Sequence, residues 1–443
     1  MIDREPAELD LDAMEELDPE LVAAVTEKVR EILSRDNGGQ VPRGEPIPAV
    51  SLDIESEFAA AAASARVISS TGALSGIEFH RDQRLDDAGL ALVNLLAGRQ
   101  PDLRHRLSVE QSARLVSQLI DCWQVLPSLS REGIYSGLPP LLHGVDSERL
   151  QQAWLAMTAY SVVQVAAAAE LLAGFRGTTV PYVLLKGSAA ACTVYPLLHQ
   201  RTGWDVDLGV ASADLAQAEE AVIAAGYHRS QQDPASKQFY ESDPNLRASV
   251  EAQHYELGFL AKRLVVSGLP QDAQRAVEAW AQSAAGHWFI DADGQPSCFA
   301  TVDVHHAVSL DIPLDEALAS AYPLTVDGRP TSVPGPSWLA FHLIFKIYWE
   351  GVNAYGKGLY QYADLVRIVE VLQPSDFDAL VKMLRHHRLE AGGHYVLRRL
   401  PEFGVGLPTH VRDFLDETAH PRGNSPTEEN DLGDMWPKLW RSR

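Results

Sequence analysis

Asp205 and Asp207, two positions apart in the segment WDVDLGV, are the side chains whose type and spacing best suit them to chemistry. Residues two apart on a strand face the same side, so the two carboxylates converge while Val206 and Leu208 enter the core. Neighbouring carboxylates repel each other unless a cation lies between them. Magnesium prefers oxygen ligands and also holds substrate phosphates, so the pair predicts a magnesium site. The alternative is a solvated pair of acids on an edge strand.

A short segment before these acids is suited to phosphate. Lys186, Gly187 and Ser188 lie where the apolar, β-rich run VPYVLL meets a predicted helix. Such a junction turns free backbone N–H groups and the positive end of the helix toward the space above it. Gly187 has no Cβ to block close approach, and Ser188 adds a hydroxyl donor. We therefore expect a phosphate-binding step beside the acids.

A two-metal site needs a third carboxylate on a neighbouring strand. We predict Asp303, because in TVDVHHAV the valines face one way while Asp303 and His305 face the other. Burying an acid in an apolar strand is costly unless the acid is used. Glu256 in QHYEL competes for the same role, and Asp303 could instead be a structural ion-pair partner. His305 either orients Asp303 or satisfies a core position.

The elements that must position these residues follow from the hydrophobic period along the chain. Spacing of three and four predicts helices before residue 175 and beyond residue 336. The expected fold class is α+β, a small mixed sheet between an N-terminal helical region and a C-terminal helical bundle. We expect the acceptor in the cleft between the sheet and the C-terminal helices. Strands are predicted at Val180–Leu185, Trp204–Val210, Ser249–Leu257, His287–Asp291 and Cys298–His305.

Composition divides the chain further. The first 36 residues carry twelve acidic and four basic side chains, and predict a solvated helix or a partner-binding segment. The longest apolar run, SVVQVAAAAELLAGF, contains Gln164 and Glu170 and is too short to span a bilayer, so no membrane role is expected. The predicted organisation is an acidic segment at 1–36, a linker at 37–51, a helical region at 52–150, the core at 151–335, a C-terminal helical domain at 336–417 and a mobile tail at 418–443.

A series of motifs in chain order resembles the DNA polymerase β-like nucleotidyltransferase superfamily, whose signature is a Gly-Ser step followed by Asp-x-Asp on the next strand. The resemblance is closer to a less characterised branch with a later Asp-x-His strand and a helical C-terminal half. It spans about residues 150–416, and the spacing from Ser188 to Asp205 is the longer one of that branch. The matching residues are LLKGS, Tyr195-Pro196, Arg201, Asp205-Val206-Asp207-Leu208 and Asp303-Val304-His305, with His342 and Asp364 at the recurring positions of a later helix pair.

The resemblance implies a bacterial-type enzyme that moves a nucleoside monophosphate from a nucleoside triphosphate to an acceptor. ATP is the expected donor and AMP the expected group, with two Mg²⁺ ions that Mn²⁺ could replace. Carried over to this chain, Asp205 and Asp207 would ligate both metals. Asp303 would ligate the metal that activates the acceptor hydroxyl and could take its proton.

The same resemblance assigns the groups that meet the triphosphate. Gly187 and Ser188 would hold it. Arg201 would either neutralise phosphate charge or brace the loop before the Asp-x-Asp strand. Lys186 would either face the triphosphate or pair with the carboxylates. Lys346, on one helix face with a histidine four residues earlier, would either contact the triphosphate or line a wet groove.

Net charge bears on the acceptor. With 37 basic and 60 acidic residues the chain carries a formal charge of −23. Such a surface repels a phosphate backbone, so long nucleic acids are poor acceptors and a hydroxyl on a small molecule or a peptide or protein is expected. Two rival functions stay open, a catalytically silent nucleotide-binding regulatory or scaffold protein, and transfer to an RNA end.

The remaining metal-binding residue types argue against zinc. Cys122, Cys192 and Cys298 are scattered and show no CxxC pairing, which favours a reducing cytoplasm over a disulfide scaffold or a zinc site. Two adjacent pairs, His305-His306 and His386-His387, invite a zinc interpretation. Neighbouring residues do not share a strand or helix face, however, and no cysteine accompanies them.

Overall fold

The structure is a computed structural model. The predicted acidic segment, most of the linker and the C-terminal tail beyond its first residue lie outside the residues it describes, so the predictions for them stay predictions. The same holds for a stretch inside the predicted N-terminal helical region. The described residues are 45–64, 87–99, 101, 106–175, 177–233, 236–251, 254–283, 287–309, 312–326, 329–353 and 359–418.

A mixed eight-stranded sheet lies at the centre of these described ranges. In chain order its strands are β1 (Ala49–Asp53), β2 (Tyr182–Leu184), β3 (Asp205–Val210), β4 (His228–Gln232), β5 (Phe239–Glu241), β6 (Leu260–Ser267), β7 (Phe289–Ile290) and β8 (Pro296–His305). They lie in the order β2-β3-β8-β6-β4-β5, with β1 beside β6 and β7 beside β8. β3 runs parallel to β8 and β1 parallel to β6, whereas the other pairs are antiparallel.

Helices lie between β1 and β2 and again after β8, and two small hairpin sheets follow the central sheet, which confirms the predicted α+β class. The hairpins pair β9 (Ala307–Ser309) with β10 (Ile312–Pro313) and β11 (Tyr322–Val326) with β12 (Arg329–Val333). The helices are α1 (Glu55–Ser64), α2 (Asp87–Leu96), α3 (Val109–Asp121), α4 (Gly144–Phe175), α5 (Lys186–Thr193), α6 (Leu215–Ala224), α7 (Pro244–Glu251), α8 (Gln271–Ala281), α9 (Asp315–Ala319), α10 (Pro336–Asn353), α11 (Leu359–Val371), α12 (Pro374–His386), α13 (Glu390–Leu397) and α14 (Thr409–Thr418).

Two sequence expectations are corrected by these elements. Among the described residues of Ser249–Leu257 no strand is present, since residues 249–251 belong to α7 and Glu256 makes only an isolated bridge to His305. Pro244 starts α7, and the carboxylate of Asp243 accepts the N–H of Asn245 at 2.8 Å. An acidic cap followed by proline is a helix start, which the apolar spacing alone did not reveal. The end of the predicted linker is also structured, since β1 pairs with β6 from Ala49 onward.

The 32-residue helix α4 is longer than the apolar run suggested. By length and composition it could cross a membrane, but 67% of its most apolar window is buried inside the protein. It is also fastened to the sheet region, because Gln164 donates to the carbonyl of Phe299 and the Trp288 indole donates to the carbonyl of Ala156, both at 3.0 Å. Burial in the core therefore explains its apolar sequence.

The C-terminal helices form the second wall above one end of the sheet. Pro336 begins α10, where its missing N–H costs no helical hydrogen bond. Helix α10 packs against α11, α12 and α13, and both α10 and α11 contact α5. The helical character predicted beyond residue 336 is confirmed. These contacts bring α10 and α11 to the start of α5 and to the N-terminal end of β3.

Candidate active site

The parallel pairing of β3 with β8 sets the carboxylates side by side. In its register Asp207 lies opposite Asp303, and Asp205 lies opposite Thr301. Because neighbouring strands in register present opposed residues on the same face, Asp207 and Asp303 meet there. His305, two residues further along β8, joins them, and one ligand atom from each of the three lies within 4.8 Å of the others. The adjacency expected from the two motifs is thus present.

Lys186 points its ammonium into this group. Its Nζ lies 2.5 Å from Asp207 Oδ1 and 3.1 Å from His305 Nε2. Burial lowers the pKa of Lys186, but Asp207 and then Asp205 raise it more, so that it stays well above its usual value. The residue also has φ 46°, a left-handed backbone that a non-glycine residue seldom adopts. Of the two roles left open for Lys186, the contacts are those of pairing with the carboxylates.

The three acids are not electrically alike. Burial raises the pKa of Asp207, but Lys186 and His305 overcome it and hold that pKa well below its usual range. Burial and then the charge of Asp207 raise the pKa of Asp205. Burial, Asp205 and Glu256 raise the pKa of Asp303 well above its usual value. Lys186 therefore neutralises Asp207, whereas burial and mutual repulsion favour the protonated forms of Asp205 and Asp303.

This donor set fits a divalent cation. Asp303 Oδ1 is buried and has no hydrogen-bond partner among the residues that the structure describes. A buried oxygen without a donor is rare in proteins and calls for a missing partner. A hard cation such as Mg²⁺ would satisfy this oxygen and separate Asp205 from Asp303.

Glu256, the alternative to Asp303 as the third carboxylate, contacts His305. Its Oε2 lies 3.2 Å from His305 Nδ1, while His305 Nε2 lies 3.0 Å from Asp207 Oδ1. Burial and then Lys186 lower the pKa of His305 to about 4, so the ring is neutral. A neutral ring carries one proton, which donates either from Nδ1 to Glu256 or from Nε2 to Asp207. Glu256 thus orients His305, which sequence analysis had linked to Asp303 instead.

Gly187 and Ser188 lie in the first turn of α5, as predicted. The lack of a side chain at Gly187 is needed because Arg201 packs against it. A Cβ there would lie 2.5 Å from Nη2 of Arg201. Ser188 Oγ accepts the backbone N–H of Asp207 at 3.3 Å, which ties the first turn of α5 to β3. The hydroxyl proton of Ser188 is still available for an outside acceptor such as a phosphate oxygen.

Arg201 makes a buried ion pair across the chain. Its Nε donates to Asp364 Oδ1 at 2.8 Å and its Nη2 to Oδ2 at 2.9 Å, while Nη1 donates to the carbonyl of Thr202. The hydroxyl of Tyr195 donates to the same Asp364 at 2.7 Å. These contacts are those of the bracing role, because they fasten the loop before β3 to α11.

A cleft of about 530 Å³ opens between the sheet edge and the C-terminal helices. Lys346 of α10 lines it, and its charge lowers the pKa of both Asp205 and Asp207. His342, one turn earlier, is buried with its Nδ1 unpartnered in the described ranges, and burial and then Lys186 lower its pKa. The lining residues are Gln124, Lys186, Gly187, Arg201, Gly203, Trp204, Asp205, Asp207, Leu343, Lys346, Tyr360, Gln361 and Asp364.

Six of these cleft residues were given no role by the sequence: Gln124, Gly203, Trp204, Leu343, Tyr360 and Gln361. Tyr360 and Gln361 lie four and three residues before Asp364 on α11, so helical spacing from that motif position could have found them. Trp204 directly precedes the Asp-x-Asp strand but belongs to no pattern. Gln124 follows α3 in a segment without any motif, and nothing in the sequence singles it out.

Comparison with known proteins agrees with this geometry. The profile of a family described as uncharacterised nucleotidyltransferase matches residues 112–403. Among proteins of curated function none matches. A solved structure, an antigenic nucleotidyltransferase-like protein from Paracoccidioides brasiliensis, is similar at 15% identity over 52% of this chain and 88% of its own, with a TM-score of 0.23. Since the family profile covers more than half of the sequence, the chain belongs to this family of uncharacterised nucleotidyltransferases.

Proposed function

We propose that this protein transfers a nucleoside monophosphate, with AMP from ATP as the first choice, to a hydroxyl or similar group of a small molecule, peptide or protein. The observation that carries the proposal is the position of three carboxylates on two parallel strands. Asp205 and Asp207 line the cleft, and Asp303 Oδ1 lacks any partner in the described part of the chain. Family membership supports a transferase that acts on a nucleotide.

Asp205, Asp207 and Asp303 are the residues that would hold magnesium. When bound, two such ions supply charge neutralisation for the triphosphate and activation of the acceptor hydroxyl. The raised pKa of Asp303 suits a group that accepts the proton of the acceptor hydroxyl.

The remaining residues bind and orient. Ser188 and the first turn of α5 offer a hydroxyl and backbone N–H groups to a phosphate. Lys346 brings positive charge from the opposite wall of the cleft. Arg201 and Asp364 hold the loop that carries Asp205 in place. The formal charge of −23 supports an acceptor other than long nucleic acid.

One observation favours a second function, a nucleotide-binding protein without turnover. The Lys186 ammonium, 2.5 Å from Asp207 Oδ1, already supplies a cation to the carboxylates. If it stays there when ATP binds, the site lacks room for the full metal complement.

Calorimetric titration with ATP tests the metal requirement. We expect binding with magnesium and a sharp loss with chelator, because the carboxylates repel a triphosphate when no cation lies between them. Asp205→Asn and Asp207→Asn should each weaken binding in magnesium. Equal affinity in magnesium and in chelator would contradict the proposal.

A transfer assay separates the two functions. The protein is incubated with each α-labelled triphosphate and magnesium, alone and with lysate fractions, and label is followed into small metabolites, protein and RNA. Asp303→Asn should keep ATP affinity and abolish transfer. Glu256→Gln is the matched carboxylate control, and normal turnover of Asp303→Asn would move the role to Glu256. Binding without transfer into any fraction supports the silent protein, and label in RNA supports the RNA-end alternative.

A further inference from the structure

A second group of metal-ligating side chains lies away from the cleft. His386 is the last residue of α12, and His387 caps that helix with φ −89° and ψ 9°. Glu316 reaches them from α9, and its Oε2 lies 3.4 Å from His387 Nε2. One ligand atom from each of the three lies within 4.8 Å of the others. Two imidazoles and one carboxylate thus converge from two helices that are far apart in sequence.

The end of α12 removes the objection that adjacent histidines diverge. On a regular helix neighbouring side chains point about 100° apart, since the helix has 3.6 residues per turn. Here the chain leaves the helix at His387, and the following Arg388 has φ 55°, which turns the backbone away. The two rings consequently approach to 4.7 Å between centroids.

His387 is held in place while its partners face solvent. Its ring lies 5.1 Å from the ring of buried Phe341 on α10, and only 12% of its side chain is exposed. Glu316 and His386 are exposed, so an ion could enter without opening the core. The site therefore has one imidazole, that of His387, held by packing, and two exposed ligands, Glu316 and His386.

The donor set selects the class of ion. Neutral imidazole suits zinc and its neighbours among the transition metals, whereas magnesium prefers oxygen ligands only. Two histidines and one glutamate are a recognised zinc ligand set that leaves a coordination position for water. The cleft group offers mainly carboxylate oxygens, with His305 as an imidazole beside them, so excess magnesium and a substitution of Asp207 distinguish the two sites.

We propose that Glu316, His386 and His387 bind one zinc-class ion, and that this ion links α9 to α12. Helix α9 follows the central sheet, whereas α12 belongs to the C-terminal helices that pack on α10. A bond across this boundary stabilises the arrangement in which α10 and α11 form the cleft wall. The site is independent of the proposed nucleotidyl transfer.

Metal titration of the full-length, chelator-treated protein tests the site. Co²⁺ is added in excess magnesium, and its visible absorption reports nitrogen and oxygen ligation, while Zn²⁺ competes it away. We expect one ion per chain and a higher Tm with zinc. His386→Gln and Glu316→Gln, both exposed, should fold normally by circular dichroism and lose at least about tenfold in affinity, since even outer-shell partners are worth about ten- to a hundredfold.

Two controls make the result specific. His410→Gln removes a histidine whose Nε2 lies 3.4 Å from Asp378 Oδ1, the same distance as in the His387–Glu316 pair but without a second imidazole. Asp207→Asn alters the cleft and should leave the cobalt spectrum unchanged. If His386→Gln and Glu316→Gln bind like the wild type, if Asp207→Asn abolishes the signal, or if no ion binds in excess magnesium, the proposal is wrong.

Discussion

Two buried charged clusters lie side by side in the cleft wall and differ in how their charge is balanced. In the arginine cluster (Tyr195, Arg201, Asp364) one guanidinium faces one carboxylate, and both carboxylate oxygens receive donors. In the carboxylate cluster (Lys186, Asp205, Asp207, Asp303, His305) three acids face one ammonium, and one oxygen has no donor among the described residues. A satisfied cluster supports the fold, whereas an unsatisfied one is prepared for a ligand.

The largest effect should come from breaking the arginine cluster. Asp364→Ala leaves the Arg201 guanidinium buried without a counter-ion, which should lower the free energy of unfolding by about 3–5 kcal/mol. Urea denaturation with chelator present measures it. The double variant Arg201→Met, Asp364→Leu is the matched control and should recover much of the loss, because no charge is left unpaired. A loss in the free energy of unfolding below about 1 kcal/mol for Asp364→Ala would mean that the Arg201–Asp364 ion pair contributes no more than an exposed ion pair does.

Within the carboxylate cluster, two isosteric changes should act in opposite directions. Without divalent metal, Asp303→Asn removes a carboxyl group that folding must keep protonated beside Asp205, and it should stabilise the protein by about 1 kcal/mol. Asp207→Asn removes the partner of Lys186 and should destabilise it by about 1–3 kcal/mol. Denaturation of both variants in chelator checks the signs. If both variants changed the free energy of unfolding in the same direction, the two acids would not differ in how their charge is balanced.

The pH dependence of stability should separate the same two acids. The pKa of Asp303 is raised in the folded protein, so its favourable contribution is present below the unfolded pKa of about 3.9 and is lost as pH rises through the folded value. The stability gain of Asp303→Asn in chelator should therefore grow from acidic to neutral pH.

Asp207 behaves in the opposite way. Its pKa is lowered in the folded protein, so its contribution is present above about pH 3.9 and is lost as pH falls toward the folded value. Denaturation between acidic and neutral pH, with both variants beside the wild type, measures the two trends. A gain for Asp303→Asn that does not change with pH would contradict the raised pKa.

The contrast between the clusters also marks what the sequence could reveal. Spacing of two on a strand placed Asp205 and Asp207 on one face, and the interruption of an apolar strand identified Asp303 as its neighbour. These are local patterns, and a strand's period fixes which face a residue takes. The strand register that brings Asp207 opposite Asp303 was not predicted, because it depends on how two separate segments pair.

Partners from distant segments were beyond such patterns. Arg201 and Asp364 are 163 residues apart, and no local period reports which residue neutralises a buried arginine. Glu256 was expected near the acids but holds His305, because the segment before it is helix α7 and not a strand. The convergence of His386 with Glu316 likewise depends on where α12 ends and on a side chain of α9 that reaches it from a distant part of the sequence.

The smallest effect should come from trimming the arginine cluster without changing its charge. Tyr195→Phe removes the hydroxyl that donates to Asp364 at 2.7 Å but keeps the ring under Arg367, whose Cζ lies 4.7 Å from the ring centroid. Since Arg201 still fills both oxygens of Asp364, the loss should be about 1 kcal/mol, the usual net contribution of one hydrogen bond.

The matched control for that change is Tyr240→Phe. The Tyr240 hydroxyl donates a long hydrogen bond of 3.5 Å to Gln238 in a half-exposed position, so its removal should cost less than about 0.5 kcal/mol. Urea denaturation compares the two variants, and calorimetry with ATP and magnesium follows binding. Unchanged ATP affinity is expected for Tyr195→Phe, because the arginine cluster supports the cleft and is not the part that awaits a ligand. A tenfold fall in ATP affinity at unchanged stability would show that the hydroxyl, or the arginine it helps to orient, contacts the nucleotide directly, and the division between the two clusters would then be wrong.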